Sequence, residues 1–468
     1  MQILHHQRSA ADPRRRGAAL LLSFLVLMVI IALVYQLNRS TGIDQQVAHK
    51  DFLLTKMELA IESAMLEVAE QLREDAELKE GSEEAGQGDP GLGDPGLGDP
   101  GLGDPGFGDD GGGEPSNPDA VDSQMDEWAQ IASTAFDDVQ LRIYIEDEDR
   151  KYNVLNMLAA DEEEAQEAYD RVVRIFDLCR EGTLADIPGG DADEMARVLR
   201  DHLLDRQYSY LPRPAELLSD DPENTSRGMP LTLREIVVLE PFTEDHFRDY
   251  FDRDGNRVHS VTAFLTVYTS PVVGTGDGTP AVPTGGHAVN VNTAPLAVLA
   301  SLVDPSDVST RTWDMVLDYR NQPEEPEEEE EEDLEPLLDE FGEEVITKQI
   351  FDSIEELGEV PDWDGMEAEV RTRVESLLRV DSDVFSVYVT ARFVTAAEVN
   401  QVLEFQSRYE QEVYERSGGH LARTVRAVFW RRPGDEGVEI VPLVRWEVLD
   451  TAPLPVLDYP DDDWRNTR

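Results

Sequence analysis

The sequence predicts an α+β fold: a long N-terminal helix, then an antiparallel sheet whose chain path is interrupted by a large all-α insertion. Three patterns carry that expectation. An uncharged run at 18–37 leads toward a stretch, 49–76, whose apolar residues recur mostly every three or four positions. Strand-type alternation marks Leu141, Ile143 and Ile145, and returns after Leu378 in 384–393, 421–431 and 440–448. Between 161 and 378 the apolar spacing is helical, with Ala168, Val172, Val173 and Phe176 on one helix and Met195, Val198, Leu199 and Leu203 on a second.

Composition narrows the chemistry. The 468 residues suffice for two or three domains of roughly 100–200 residues each. Lys and Arg total 40 against 99 Asp and Glu, a net charge of −59 that repels phosphate and excludes general nucleic-acid binding. With Cys179 alone, neither an intramolecular disulfide nor a cysteine metal cage can form. Cys179 itself is placed on the buried face of its helix, as a small inert hydrophobe. Any metal must take oxygen ligands, which points to calcium rather than zinc. The eight histidines are scattered, and no nucleophile elbow, P-loop or dinucleotide fingerprint is present, so no enzyme is expected.

Along the chain, residues 18–37 are long enough at 1.5 Å per residue to cross a hydrocarbon core of about 30 Å. Arg14, Arg15 and Arg16 just ahead of them put the N-terminus in the cytoplasm and the rest outside. Residues 88–107 are four copies of a Gly-Asp-Pro-Gly-Leu/Phe unit, inside a disordered linker at 81–120. A self-repelling acidic loop occupies 323–335. Capping boxes at Thr232/Glu235 and Ser353/Glu356 stand 36 and 35 residues before Tyr268 and Tyr388, which suggests a duplicated helical module, 161–270 and 287–378. In Val289-Asn290-Val291-Asn292-Thr293-Ala294-Pro295, Thr293 is expected to cap the next helix and Pro295 to sit in its first turn. Arg392, Arg423, Arg426, Arg431 and Arg445 are assigned to a solvated sheet face. The turn Asp252-Arg253-Asp254-Gly255-Asn256 offers alternating oxygens, and Asp252, Asp254 and Asn256 are the calcium candidates.

Arg14-Arg15-Arg16-Gly17 abutting Ala18-Ala19-Leu20 resembles the type IV prepilin cleavage motif. The resemblance implies that a prepilin peptidase removes 1–17 and methylates the amine of Ala18. Most pilins carry Glu at mature position five; here that position is Leu22, a departure that resembles protein K of the type II secretion system. Residues 146–156 are similar to that family's strand-and-acidic-turn segment, although Asn153 and Asn156 stand three apart rather than two. The 289–295 string resembles both the helix-hairpin-helix of DNA-binding competence proteins and the SAM-like insertion of protein K. The following turn, Asp304-Pro305-Ser306-Asp307, carries two acids and no glycine, which disfavours phosphate and the DNA alternative.

What the family resemblance implies is specific. The sheet (121–160 and 379–452) would be pilin-like, the insertion (161–378) SAM-like, and 453–468 a tail. The protein would be a minor pseudopilin capping the pseudopilus tip, a single-pass inner-membrane protein with its bulk in the periplasm. Its partners would be minor pseudopilins I and J, other pseudopilus subunits and the prepilin peptidase, with no nucleic acid; calcium would be its ion. The alternative is a membrane-anchored periplasmic binding module outside any filament.

Overall fold

The computed structural model describes residues 13–86, 121–136, 138–159, 161–207, 232–253, 256–269, 288–323, 348–393, 422–434 and 437–456. The Gly-Asp-Pro repeat, nearly all of the acidic run and Asp254 lie outside them. In chain order the elements are α1 (Pro13–Gly86), β1 (Ala132–Phe136), β2 (Val139–Asp147), β3 (Tyr152–Asn153), α2 (Glu162–Leu178) and α3 (Gly189–Gln207). Then follow β4 (Tyr250–Phe251), β5 (Arg257–Val258), β6 (Leu265–Thr266), β7 (Val289–Asn290), α4 (Leu296–Leu299), α5 (Thr310–Asn321) and α6 (Ala368–Glu375). The chain closes with β8 (Leu378–Arg379), β9 (Val384–Phe393), β10 (Ala422–Gly434) and β11 (Gly437–Leu449). It divides into two units, Met1–Leu59 and Ala60–Arg468.

In the first unit, the large apolar side chains between Leu21 and Tyr35 are 47% to 70% exposed, on every side of α1. Two expectations fall here. Among the described residues no helix is long and apolar enough to cross a membrane. The single-pass inner-membrane topology, with its cytoplasmic N-terminus and periplasmic bulk, is therefore corrected, and so is the transmembrane helix of the expected fold class. Nor does α1 keep one apolar face along its 74 residues.

In the second unit, β1, β2, β9, β10 and β11 form one antiparallel sheet in the order β1-β2-β9-β10-β11. The three C-terminal strands lie where the alternation puts them. Period-two geometry gives the sheet two unlike faces. One is apolar, with Ile143, Val389 and Val425 in one cross-strand row and Ile145, Val387 and Ala427 in the next, all buried. The C-terminal part of α1 buries Ala60, Ile61, Ala64, Val68 and Leu72, and Asp75 fastens it to Arg431 of β10 at 2.8 Å. The other face carries Glu146, Ser386, Tyr388 and Arg426 and meets the inserted body. Among the described residues the sheet is open, ending at β1 and β11, and no closed pilin-like barrel forms; the pilin-like expectation is corrected on that ground.

The insertion is not all-α. It begins and ends its two parts with two-residue parallel pairs, β3 with β6 and β7 with β8, and carries a β4–β5 hairpin. Pairs this short leave no alternation in the sequence to detect. The segments after Thr232 and Ser353 are 3-10 turns of six residues, Leu233–Val238 and Ile354–Glu359, each followed closely by proline at 241 and 361; the Thr232 hydroxyl accepts from the Arg234 amide, whereas the expected Ser353 cap bond is not made. Of the longer helices, α2 is started by the Asp161 carboxylate, which accepts from the amides of Glu163 and Glu164, with three acids in its first turn. One hydrophobic core runs through both parts of the insertion and onto Val384, Val428 and Trp430 of the sheet. Its largest members include Trp313 and Trp363, packed edge to face at 6.0 Å.

Candidate functional site

The chain leaves β2 through six consecutive charged residues, Glu146, Asp147, Glu148, Asp149, Arg150 and Lys151, and all six are at most 3% exposed. Strand alternation sorts the four acids into two sets with opposite surroundings. Glu146 and Glu148 lie toward the insertion, where cations meet them. Glu146 pairs with Arg150, lies 2.7 Å from the Lys151 ammonium, and accepts from the Tyr388 hydroxyl at 3.2 Å. Glu148 lies 2.8 Å from Lys151 and 3.0 Å from Arg426, and accepts from the hydroxyls of Thr266 and Ser386. Arg426 is itself held over the rings of Tyr268 and Tyr388, at 5.0 and 5.8 Å.

Asp147 and Asp149 have mainly neutral donors instead. Asp147 accepts from the hydroxyls of Thr293 and Ser382 and from the Asn290 amide. Asp149 accepts from the backbone amides of Asp383 (2.7 Å) and Val384 (3.0 Å), with Arg379 3.7 Å away. Asn290 joins segments 260 residues apart: its amide donates to the Asp122 carbonyl at 2.9 Å and to Ser382 at 2.8 Å. Asn292 forms a closed pair with the Phe351 backbone, one bond in each direction at 2.9 Å. Arg320 of α5, fully buried, donates to the carbonyls of Val291 and Ala294.

Burial alone would raise the Glu148 carboxyl, but Lys151 and Arg426 outweigh it and hold it at about 2. Asp147 has no such cation. Burial first, and then the nearby Asp122 charge, push it up to about 6 against the hydrogen bonds of Thr293 and Ser382. Asp149 is shifted upward for the same reasons, with Asp147 as the repelling neighbour. The Cys179 thiol, pushed up to about 12 by burial, donates to the Phe176 carbonyl, in keeping with its inert assignment.

A second acidic group stands beside the hub. Oxygens of Asp75, Asp122 and Asp126 lie within 4.8 Å of one another and could coordinate a cation. The Arg431 guanidinium already bridges Asp75 and Asp122, and Asp126 accepts from Ser123 and from the Trp128 indole.

The residues singled out from sequence are placed as follows. Gly17 and Ala18 lie in the helical backbone of α1, and Leu22 is 68% exposed. Asp252 accepts from the amides of Leu184 and Asn256 and from the Asn256 side chain, closing the β4–β5 turn. Thr293 does not cap α4, which starts after Pro295; its hydroxyl is spent on Asp147. Arg426 and Arg431, expected on a solvated face, are buried in ion pairs. The hub itself was missed, because an acidic run after a strand has the signature of a solvated turn. The available signal was Arg150 and Lys151 standing four and five residues after Glu146.

No protein-family profile matches the chain, and no curated protein matches it. Among solved structures, it is similar to a chain of the GspK-GspI-GspJ complex from the type 2 secretion system of enterotoxigenic Escherichia coli. The identity is 10% and the TM-score 0.38, over 70% of this chain and 86% of that one.

The hub gives a pH signature. An unfolded Asp titrates near 3.9, so between about pH 4 and pH 6 the native chain holds more of the Asp147 proton than the unfolded chain does. Stability from this group is therefore full below about pH 4 and is lost as pH rises through 6, by about 3 kcal/mol for a two-unit difference. Glu148 acts oppositely, losing stability only as pH falls from about 4.3 toward 2. Urea unfolding from pH 4.5 to 7.5 should show Asp147→Asn losing markedly less stability with rising pH than the unaltered protein. Parallel curves would contradict the assignment.

Proposed function

We propose that this chain is a non-catalytic subunit of a type II secretion pseudopilus, seated at its tip against minor pseudopilins I and J. The observation that carries the reading is the N-terminal one: Arg14, Arg15, Arg16 and Gly17 lead directly into an apolar helical stretch exposed on all sides. An apolar surface of that extent calls for a cover, and in a helical filament the matching helices of neighbouring subunits supply it. Leu22 replaces the acid with which a shaft subunit pairs its neighbour's amine, a loss best tolerated where stacking ends. The inserted body adds bulk where a further subunit would stack. The buried carboxylates favour a structural role, since their oxygens are engaged by cations, hydroxyls and amides. Calcium enters this reading through the resemblance, and the Asp75, Asp122 and Asp126 oxygens are of the hard type it prefers.

In this reading prepilin peptidase cuts between Gly17 and Ala18 and methylates the new amine. N-terminal mass analysis of protein made beside its own peptidase should find methylated Ala18, and Gly17→Val should leave Met1 in place. An intact Met1 in the unaltered protein would contradict it. Chain from residue 45 onward, mixed with the heads of pseudopilins I and J from the same organism, should elute as a ternary complex. Separate elution at micromolar concentrations, or repeated copies along the shaft, would overturn the tip assignment.

A further inference from the structure

Where the inserted body meets the polar face of the sheet, the surface opens into a cleft of about 490 Å³. That lies within the roughly 300–1,000 Å³ of sites that hold small ligands. One wall is the insertion, through Arg234, Asp245, Phe247 and Tyr250. The other is the sheet, through Tyr388 of β9, Arg426 of β10, and Leu449 and Asp450 where β11 ends.

The charges of the lining do not cancel. Four carboxylates, Asp245, Asp249, Glu447 and Asp450, stand against three guanidiniums, Arg234, Arg248 and Arg426. Two of those guanidiniums are already paired with acids outside the lining, Arg426 with Glu148 at 3.0 Å and Arg248 with Glu244 at 2.9 Å. Asp249 accepts from the Ser260 amide and lies 3.5 Å from the His259 ring, and Glu447 lies 3.5 Å from Arg426. Asp245 and Asp450 are exposed, one on each wall, and among the described residues their carboxylates have no hydrogen bond or ion pair. The cleft thus carries an excess of negative charge, in a chain whose net charge of −59 draws cations toward it. The same lining holds the Phe247 and Tyr250 rings and the Leu449 side chain, surface of the kind that takes the aliphatic stem and cationic head of a basic side chain. Arg234 has no acid partner among the described residues and is left as a donor toward carbonyl oxygens.

From this cleft we infer a binding site for a basic peptide. An Arg or Lys side chain of a second polypeptide enters it, with its cation held by Asp245 and Asp450 and its stem against Phe247, Tyr250 and Leu449. The carbonyl groups beside that residue accept from Arg234. The inference concerns the junction of insertion and sheet alone, so its failure would leave the pseudopilus reading unaffected.

The test uses the full chain and three labelled peptides of the form Gly-Leu-Xaa-Leu-Gly with blocked ends, in which Xaa is Arg, citrulline or Glu. Citrulline keeps the shape of arginine without its charge. Fluorescence anisotropy should show the Arg peptide binding at least about tenfold more tightly than either of the others. Hydrogen exchange with that peptide bound should slow at residues 244–250. Asp245→Asn combined with Asp450→Asn should weaken the Arg peptide by at least about fivefold. Both residues are exposed, and the pair removes only two charges from a net −59, so neither unfolding nor the overall field would account for that loss. Equal binding of the Arg and citrulline peptides, or no binding at millimolar concentration, would overturn the inference. So would arginine amide alone binding as tightly as the peptide, unslowed exchange at 244–250, or unchanged affinity in the double variant.

Discussion

Six consecutive charges removed from water at the end of β2 are the constraint around which the second unit is organised. Desolvating an ion costs several kcal/mol, and only close, well-oriented partners offset that cost. No single element here could supply them. Thr266 comes from β6, Asn290 from β7, Thr293 from the turn before α4, Ser386 and Tyr388 from β9, and Arg426 from β10. The sheet and both parts of the insertion must therefore be in place together before the hub is satisfied. Such a site adds little net stability over an apolar core of equal volume. Its larger effect is to penalise any arrangement that leaves one partner out.

The same logic explains the short parallel pairs. Val289–Asn290 and Leu378–Arg379 share only two residues of ladder, yet the Asn290 amide reaches three acceptors while its backbone N–H reaches Asp149. A polar side chain thus holds a junction that the ladder alone is too short to hold. Arg431 plays the corresponding part on the other sheet face, tying Asp75 of α1 to Asp122 and to the Ser382 carbonyl.

Period-two alternation made the sheet strands legible, since β2, β9, β10 and β11 each have one apolar face long enough to show. The burial of Cys179 was legible too, from helical spacing. The hub was not, because beyond Lys151 the partners of Glu148 are 118 to 278 residues away in sequence, a separation no local pattern reports. Thr293 was misassigned for a related reason: a hydroxyl ahead of a helix has the local signature of a cap, and only the fold brings Asp147 within its reach. Of the two expected caps, Thr232 accepts from the Arg234 amide whereas the Ser353 side chain makes no cap bond, and each turn closes after six residues as proline approaches. The twenty uncharged residues at 18–37 had the signature of a membrane span, but among the described residues no helix is long and apolar enough to cross.

The hub depends most on Glu148 and Arg426, which join segments 278 residues apart and draw Ser386 and two tyrosines into it. A double-mutant cycle on Glu148→Gln and Arg426→Met, measured by urea unfolding at pH 7, tests it most directly. Each single change should cost about 3–5 kcal/mol, because it leaves a buried charge uncompensated. The double variant should cost at least about 1.5 kcal/mol less than their sum. Costs that add to within about 0.5 kcal/mol would show that the two groups do not depend on one another, and would contradict the hub as the organising interaction.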